Sequence, residues 1–186
     1  MKKIEIYNQE QFDSLFEETE VGVGARAKKQ QEVFIVGKLD EIYGWHSGLQ
    51  ISIIENAEVE RVNATIFSIE DNAHIGTIGG LSLVSTLLGS VKIDNMEDSA
   101  HIRFTSSTPF RIGTMKDTSS IGVLGEIVHD DDERRPEIDT MAGYSLIKFA
   151  IFGDIQTMME QSTAILIKDG VSVGRIKDHA KVIFRN

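Results

Sequence analysis

Hydrophobic and polar positions along this chain keep neither a strand period nor a helix period for long. In IEDNAHIGTI, which starts at Ile69, a small and a β-branched residue stand two apart (Ala73, Ile75), and another apolar residue follows three later (Ile78). The same −2, 0, +3 pattern returns at Leu49/Ile51/Ile54, Ala57/Val59/Val62, Ala64/Ile66/Ile69, Val91/Ile93/Met96, Phe110/Ile112/Met115 and Val171/Val173/Ile176. Weaker copies stand at Leu81/Leu83, Ala100/Ile102, Ser119/Ile121/Leu124, Tyr144/Leu146/Phe149, Gly153/Ile155/Met158, Thr163/Ile165 and Ala180/Val182. Between them lie short runs of Asp, Asn, Gly and Ser, such as EDN, GG, NMEDS and KDT, which read as turns.

Residues two apart in an extended chain point to one side, so −2 and 0 face inward together and the residue between them faces solvent. That middle residue is usually polar: Glu58, Thr65, His74, Lys92, His101, Arg111, Ser172 and Lys181. An inward residue at +3 breaks the alternation, as it does where a strand bends at a corner. Short strands joined by corners and burying one side wind into a parallel β-solenoid whose coils stack on one another. Small Ala at −2 suits the narrow interior beside a corner. An antiparallel sandwich has strands at similar spacing. Against it, these strands resemble one another, which a sandwich does not require, and the hairpin dipeptide Asp-Gly occurs once, at Asp169-Gly170. The predicted fold class is therefore all-β.

Two segments stand outside the repeat. NQEQFDSLFEE predicts a short amphipathic helix, with Asn8 as N-cap, Gln11 at the capping-box position, and Phe12, Leu15 and Phe16 on one face. Such a helix would cover the first coil, whose strand edges and core are otherwise exposed. Residues 1–32 are thus expected to form an N-terminal strand, capping helix and connector, and residues 33–186 the repeat domain. HDDDERRPEID, residues 129–139, shows no inward pattern and reads as a charged loop thrown out from one coil.

The units IENAEVERV, IEDNAHIGTI, MEDSAHIRFT and IKDHAKVIF share a D-N-A-x-V-x-x-V style. In this the chain resembles small repeat proteins encoded by phages and prophages of low-GC Gram-positive bacteria, and the likeness covers most of residues 33–186. The resemblance implies a right-handed parallel β-helix and carries no catalytic residues, because the motif is structural.

Composition changes the picture in three ways. The formal charge of −10, from 29 acids against 19 bases, disfavours direct nucleic-acid binding, which needs a basic footprint. With no Cys, there is no disulfide scaffold, thiolate nucleophile or Cys-built zinc site. The start, MKKIEIYNQEQ, has no apolar leader, and the most apolar stretch, YSLIKFAIF, is short and interrupted by Lys148. A cytoplasmic protein, or part of a virion assembled there, with no membrane contact, is expected.

Candidate chemistry is sparse. His74 and His101 occupy equivalent outward slots; three units per coil would stack them on neighbouring coils, and two would put them on opposite sides. His129, Asp130, Asp131, Asp132 and Glu133, followed by Arg134 and Arg135, offer a binding surface, although their order is not that of a calcium loop. Trp45 and His46 beside Tyr43 form an aromatic cluster near the first coils. A polysaccharide-acting enzyme would need carboxylates at fixed separation in one groove, and no such pair can be placed. No phosphate-cradling loop is present and no cofactor is expected. The reading that follows is a non-catalytic interaction protein that binds a host protein or sequesters a small anionic signal and forms a homo-oligomer. The alternative is a structural virion component.

Overall fold

The computed structural model describes residues 2–17, 31–44, 49–106, 109–125 and 135–185. Its elements are β1 (Lys2–Asn8), α1 (Gln9–Glu17), β2 (Gln31–Gly44), β3 (Leu49–Ile53), β4 (Glu58–Ile69), β5 (His74–Ile78), β6 (Leu83–Leu87) and β7 (Lys92–Met96). There follow β8 (His101–Thr105), β9 (Arg111–Met115), β10 (Ser120–Leu124), β11 (Glu137–Met141), β12 (Leu146–Met158), β13 (Thr163–Ile176) and β14 (Lys181–Phe184). Every described pairing is parallel, and the strands form a β-solenoid of about eight coils.

Each coil has two strands. One set, the front sheet, stacks the second half of β2, the first half of β4, then β5, β7, β9, β11 and the second halves of β12 and β13. The other, the back sheet, stacks β1, the first half of β2, β3, the second half of β4, β6, β8, β10, the first halves of β12 and β13, and β14. Ile75 sits on Ile93 and Ile93 on Ile112, so a coil takes 18 or 19 residues there.

The −2, 0, +3 pattern is the inward set. On the front sheet Leu39, Val59, Ile75, Ile93, Ile112, Ile138 and Ile155 form one buried column, and Ile42, Val62, Ile78, Met96, Met115, Met141 and Met158 another. Burying one such side chain contributes roughly 1.5–3 kcal/mol, so stacking alike residues in register is the main source of stability. Position −2 is the last residue of a corner. Ala57, Ala73, Ala100, Ser82, Ser119, Ser145 and Ser162 fill it, all buried, and each donates its N–H to the carbonyl three residues earlier.

The corners also explain the recurring acid. Asp71, Asp98, Asp117, Glu160 and Asp178 have φ between 54° and 60°, the left-handed region that Asp tolerates better than most residues. Each of these conformations aims the carboxylate at the preceding coil. Asp71 accepts from Glu55 N–H (3.1 Å), Asp98 from Gly80 (2.9 Å), Asp117 from Asp98 (3.2 Å) and Asp178 from Glu160 (3.3 Å). Each corner that carries one of these acids is thereby stapled to the coil before it.

At the N-terminal end the front-sheet edge and the interior are covered, while β1 pairs, among the described residues, only with β2. Asn8 Oδ1 accepts from Gln11 N–H, as an N-cap should, and Phe12 of α1 is fully buried against the first coil. Gln9 copies a strand: its Oε1 accepts from the N–H groups of Asp40 and Glu41, and its Nε2 donates to the Glu41 carbonyl, all at 3.0 Å. That side chain satisfies the open edge of the front sheet. The side chain of Phe16, and the residues Trp45 and His46, lie outside what the structure describes.

Five expectations need correction. Ile53, not Ile54, is the buried partner of Ile51, because the earliest back strands keep the plain period of two. Leu81/Leu83, Tyr144/Leu146/Phe149 and Thr163/Ile165 are not inward; Ser82/Val84, Ser145/Ile147/Ala150 and Ala164/Leu166 are. The charged loop is also shorter than 129–139. Pro136, Ile138 and Met141 are inward residues of the front sheet, and Glu137 stacks on Arg111.

The register has a direct test. Ile93→Asp places an unpaired charge in the interior and is expected to abolish soluble folding or cost more than about 3 kcal/mol. Lys92→Ala, one residue away and exposed, should cost under about 1 kcal/mol. Urea melts of both variants read the difference.

Candidate functional site

Two strands per coil place His74 on the front sheet and His101 on the back, so the two cannot share a ligand. His74 Nε2 lies 2.9 Å from Asp94 Oδ2, with Lys92 Nζ 2.9 Å from the other carboxylate oxygen. Burial pushes the Asp94 carboxyl up, but hydrogen bonds from Lys92 and His74 outweigh it and hold the group below its ordinary value. Residues His129, Asp130, Asp131, Asp132, Glu133 and Arg134 lie outside the described residues. Arg135, at the exit of that segment, is described: its guanidinium pairs with Asp154 (3.1 Å), donates to the Gly170 carbonyl and lies 4.6 Å from the centre of the Phe152 ring.

Arg135 lines an open cleft of about 520 Å³ with Lys92, Phe110, Arg111, Glu137 and Asp154. Three cations in one cleft suggest an anion site, yet each has a carboxylate. Lys92 pairs with Asp94, Arg111 holds Asp139 through Nε and Nη2 at 2.9–3.2 Å, and Arg135 pairs with Asp154. An incoming anion would have to displace these. The whole front sheet is of this kind: Lys38–Glu58 extends the lattice, and outward Thr77, Asn95, Thr114, Thr140 and Thr157 form a polar column beside it.

The back sheet is different. From Thr65 onward its seven strands are TIFSI, LVSTL, HIRFT, SIGVL, LIKFA, TAIL and KVIF, without one Asp or Glu in a chain that has 29. Their outward positions carry Leu83, Phe104, Val123, Leu146, Phe149 and Ile165, half-buried by one another, with Phe67 and Ile183 more exposed at 49% and 43%. The charges among them are positive. Arg103 lies 5.0 Å from the centre of the Phe104 ring and Lys148 5.9 Å from that of Phe149, so each cation rests on an aromatic face. His101 Nδ1 meets Ser120 Oγ at 2.9 Å. Burial first, and then the positive charges of Lys148 and Arg103, hold this imidazole below its ordinary value.

Strands apolar on both sides usually belong to sheets covered on both sides. Nothing described covers the outer side of these. The result is a flat apolar ladder dotted with cations, on a protein whose net charge is strongly negative. Of the residues expected at a site, only His101 belongs to it. Leu83, Leu146, Phe149 and Ile165 were visible in the sequence, but as core: SLIKFAIF and TAILI satisfy an inward pattern in either register. The missing carboxylates were the usable signal, and that signal appears only once alternate strands are assigned to one sheet.

Comparison of the chain with protein families, curated proteins and solved structures finds no match. No helix among the described residues is long and apolar enough to cross a membrane.

The lowered His101 value has a signed consequence. A histidine that binds protons less readily folded than unfolded withdraws no stability above the unfolded value of 6.5, and destabilises the fold as pH drops through and below it. The stability of the wild type relative to His101→Gln is therefore expected to fall between pH 7.5 and 5.5. Denaturant titrations of the pair at several pH values measure this, and a flat or rising difference refutes it.

Proposed function

We propose that this chain is a non-catalytic interaction protein, of phage or prophage origin as its repeat style implies, that docks a host protein on the back sheet. The observation that carries the reading is the outward ladder of Leu83, Phe104, Val123, Leu146, Phe149 and Ile165, with Arg103 and Lys148 and no carboxylate. The complementary partner is a protein surface with an apolar centre and acidic surroundings. Docking there buries aromatic and aliphatic side chains, the usual source of binding energy, while the cations select the partner and speed its approach. Nucleic acid fits poorly, because the net charge of −10 repels a phosphate backbone over the rest of the surface.

The non-catalytic part of the reading rests on how the charged groups are used. In the cleft and along the front sheet they neutralise one another from coil to coil, which suits a rigid scaffold. The same pairing makes sequestration of a small anion the weaker form of the proposal. A structural role in a virion is the second reading, which a rigid two-sheet rod would also suit.

The double variant Phe104→Ser/Phe149→Ser changes only outward positions and is expected to shift the melting temperature by no more than a few degrees. It should capture at least tenfold less partner from a Gram-positive bacterial lysate than the wild type, whereas Thr114→Ser/Thr140→Ser on the front sheet should capture as much. Equal loss in both, or in neither, removes the back sheet as the docking face.

A further inference from the structure

Three outward columns run along the back sheet, and the middle one has a gap. On successive coils it carries Phe67, Ser85, Arg103, Gly122 and Lys148. Gly122 has no side chain for a packing reason: a Cβ there would lie 2.5 Å from the Arg103 carbonyl oxygen. The consequence is a notch with a cation on either side, since the strands of Arg103 and Lys148 lie roughly 10 Å apart, two ladder spacings. On one flank the floor continues as Val123, which stands in one column between Phe104 and Phe149. Arg103 rests on the first of these rings and Lys148 on the second. On the other flank His101 Nδ1 lies 2.9 Å from Ser120 Oγ.

Both cations are exposed, and among the described residues neither has a carboxylate partner. The bases of the front-sheet cleft, Lys92, Arg111 and Arg135, all have one. A chain with 29 acids to 19 bases thus leaves this pair open.

We propose that the notch takes a carboxylate of the docked protein at the centre of the ladder: an acidic side chain with its stem over Val123, between Phe104 and Phe149, and its oxygens over Gly122, between Arg103 and Lys148. That the carboxylate belongs to a protein rests on the docking reading above; the preference of the notch for a carboxylate on an apolar stem does not. An apolar partner surface laid over the ladder strips water from both cations, which is costly unless an opposite charge arrives with it. Inside the covered notch that charge is held more strongly than in water. Rings on two sides and a valine below suit a hydrocarbon stem, which a bare inorganic anion lacks. Phosphate would call on more donors than two cations and the Ser120 hydroxyl, and the backbone of β10 is engaged on both sides by the ladders to β8 and β12.

His101 gives the site a signature. The charged groups that face it are Lys148, two strands away, and Arg103 on its own strand; Leu83, on its other side, has no charge. Burial, and then these cations, hold its proton affinity down. A carboxylate between the cations offsets part of their field, so binding should raise that affinity. By linkage, binding tightens as pH falls through the titration of the imidazole.

Titration of the full chain with 3-phenylpropionate, a carboxylate on a short apolar stem, tests the notch by nuclear magnetic resonance. Saturable shifts are expected at the amides of Arg103, Gly122 and Lys148. The imidazole of His101 should titrate at higher pH when the probe is bound, and binding should tighten several-fold between pH 7.5 and 5.5. His101→Gln should still bind but lose that pH dependence. Arg103→Gln/Lys148→Gln, which changes outward positions only, should bind at least about tenfold more weakly, as should the neutral 3-phenylpropionamide on the wild type. Equal binding of acid and amide, tighter binding of inorganic phosphate, or full binding by the double variant overturns the proposal. So does a double variant that captures the lysate partner as well as the wild type while Phe104→Ser/Phe149→Ser loses it, a result that leaves the docking reading standing. Carboxylate binding in the notch, with capture indifferent to every back-sheet variant, sinks the docking reading and leaves the preference of the notch standing.

Discussion

The corner carboxylate is the interaction on which the rest of the structure depends. A coil of this kind has no interior of its own, since its two strands bury their apolar sides only when another coil sits in register above or below. The backbone ladder sets the spacing but permits sliding. A carboxylate that reaches from Asp98 to the N–H of Gly80, or from Asp178 to that of Glu160, does not, because it reads one position and no other. Register in turn is what stacks Ile on Ile and Met on Met, and a slip by one residue would turn each column to solvent.

That constraint leaves the outer sides of the two sheets free to differ, and they do. In front, most of the described bases stand beside an acid: Lys38 by Glu58, His74 and Lys92 by Asp94, Arg111 by Asp139 and Arg135 by Asp154. Such pairs are individually weak, but they leave a hydrated, polar surface. Behind, carboxylates are absent from seven successive strands and outward positions turn apolar. A solenoid makes this division cheap, because any outward position can change without touching the core. The rod is then a ruler that holds aromatic and cationic side chains at the spacing of β-strands.

The ends follow the same physics. A solenoid must stop somewhere, and each stop exposes two strand edges and a slice of core. At the N-terminal end a helix, a glutamine amide and a phenylalanine cover the front-sheet edge and the interior. In the last described coil the inward residues Ile176 and Phe184 are exposed.

Much of the architecture was legible in the sequence. Ala73, Ile75 and Ile78, and their copies, identified the inward columns and the corners, and Gln11 and Phe12 marked a capping helix, because local patterning and turn chemistry depend only on near neighbours. Three things were decided by the tertiary structure alone. How many strands complete a coil, and hence that His74 and His101 face opposite ways, is a property of how coils stack. Whether Leu146 and Phe149 or Ile147 and Ala150 point inward could not be read from SLIKFAIF, since a strand apolar on both sides carries no preference for either register. The unbroken absence of acids along the back sheet from Thr65 onward is invisible in linear order, where its strands alternate with front strands and acidic corners. It becomes a single surface only when residues 18 or so apart are brought together by the ladder.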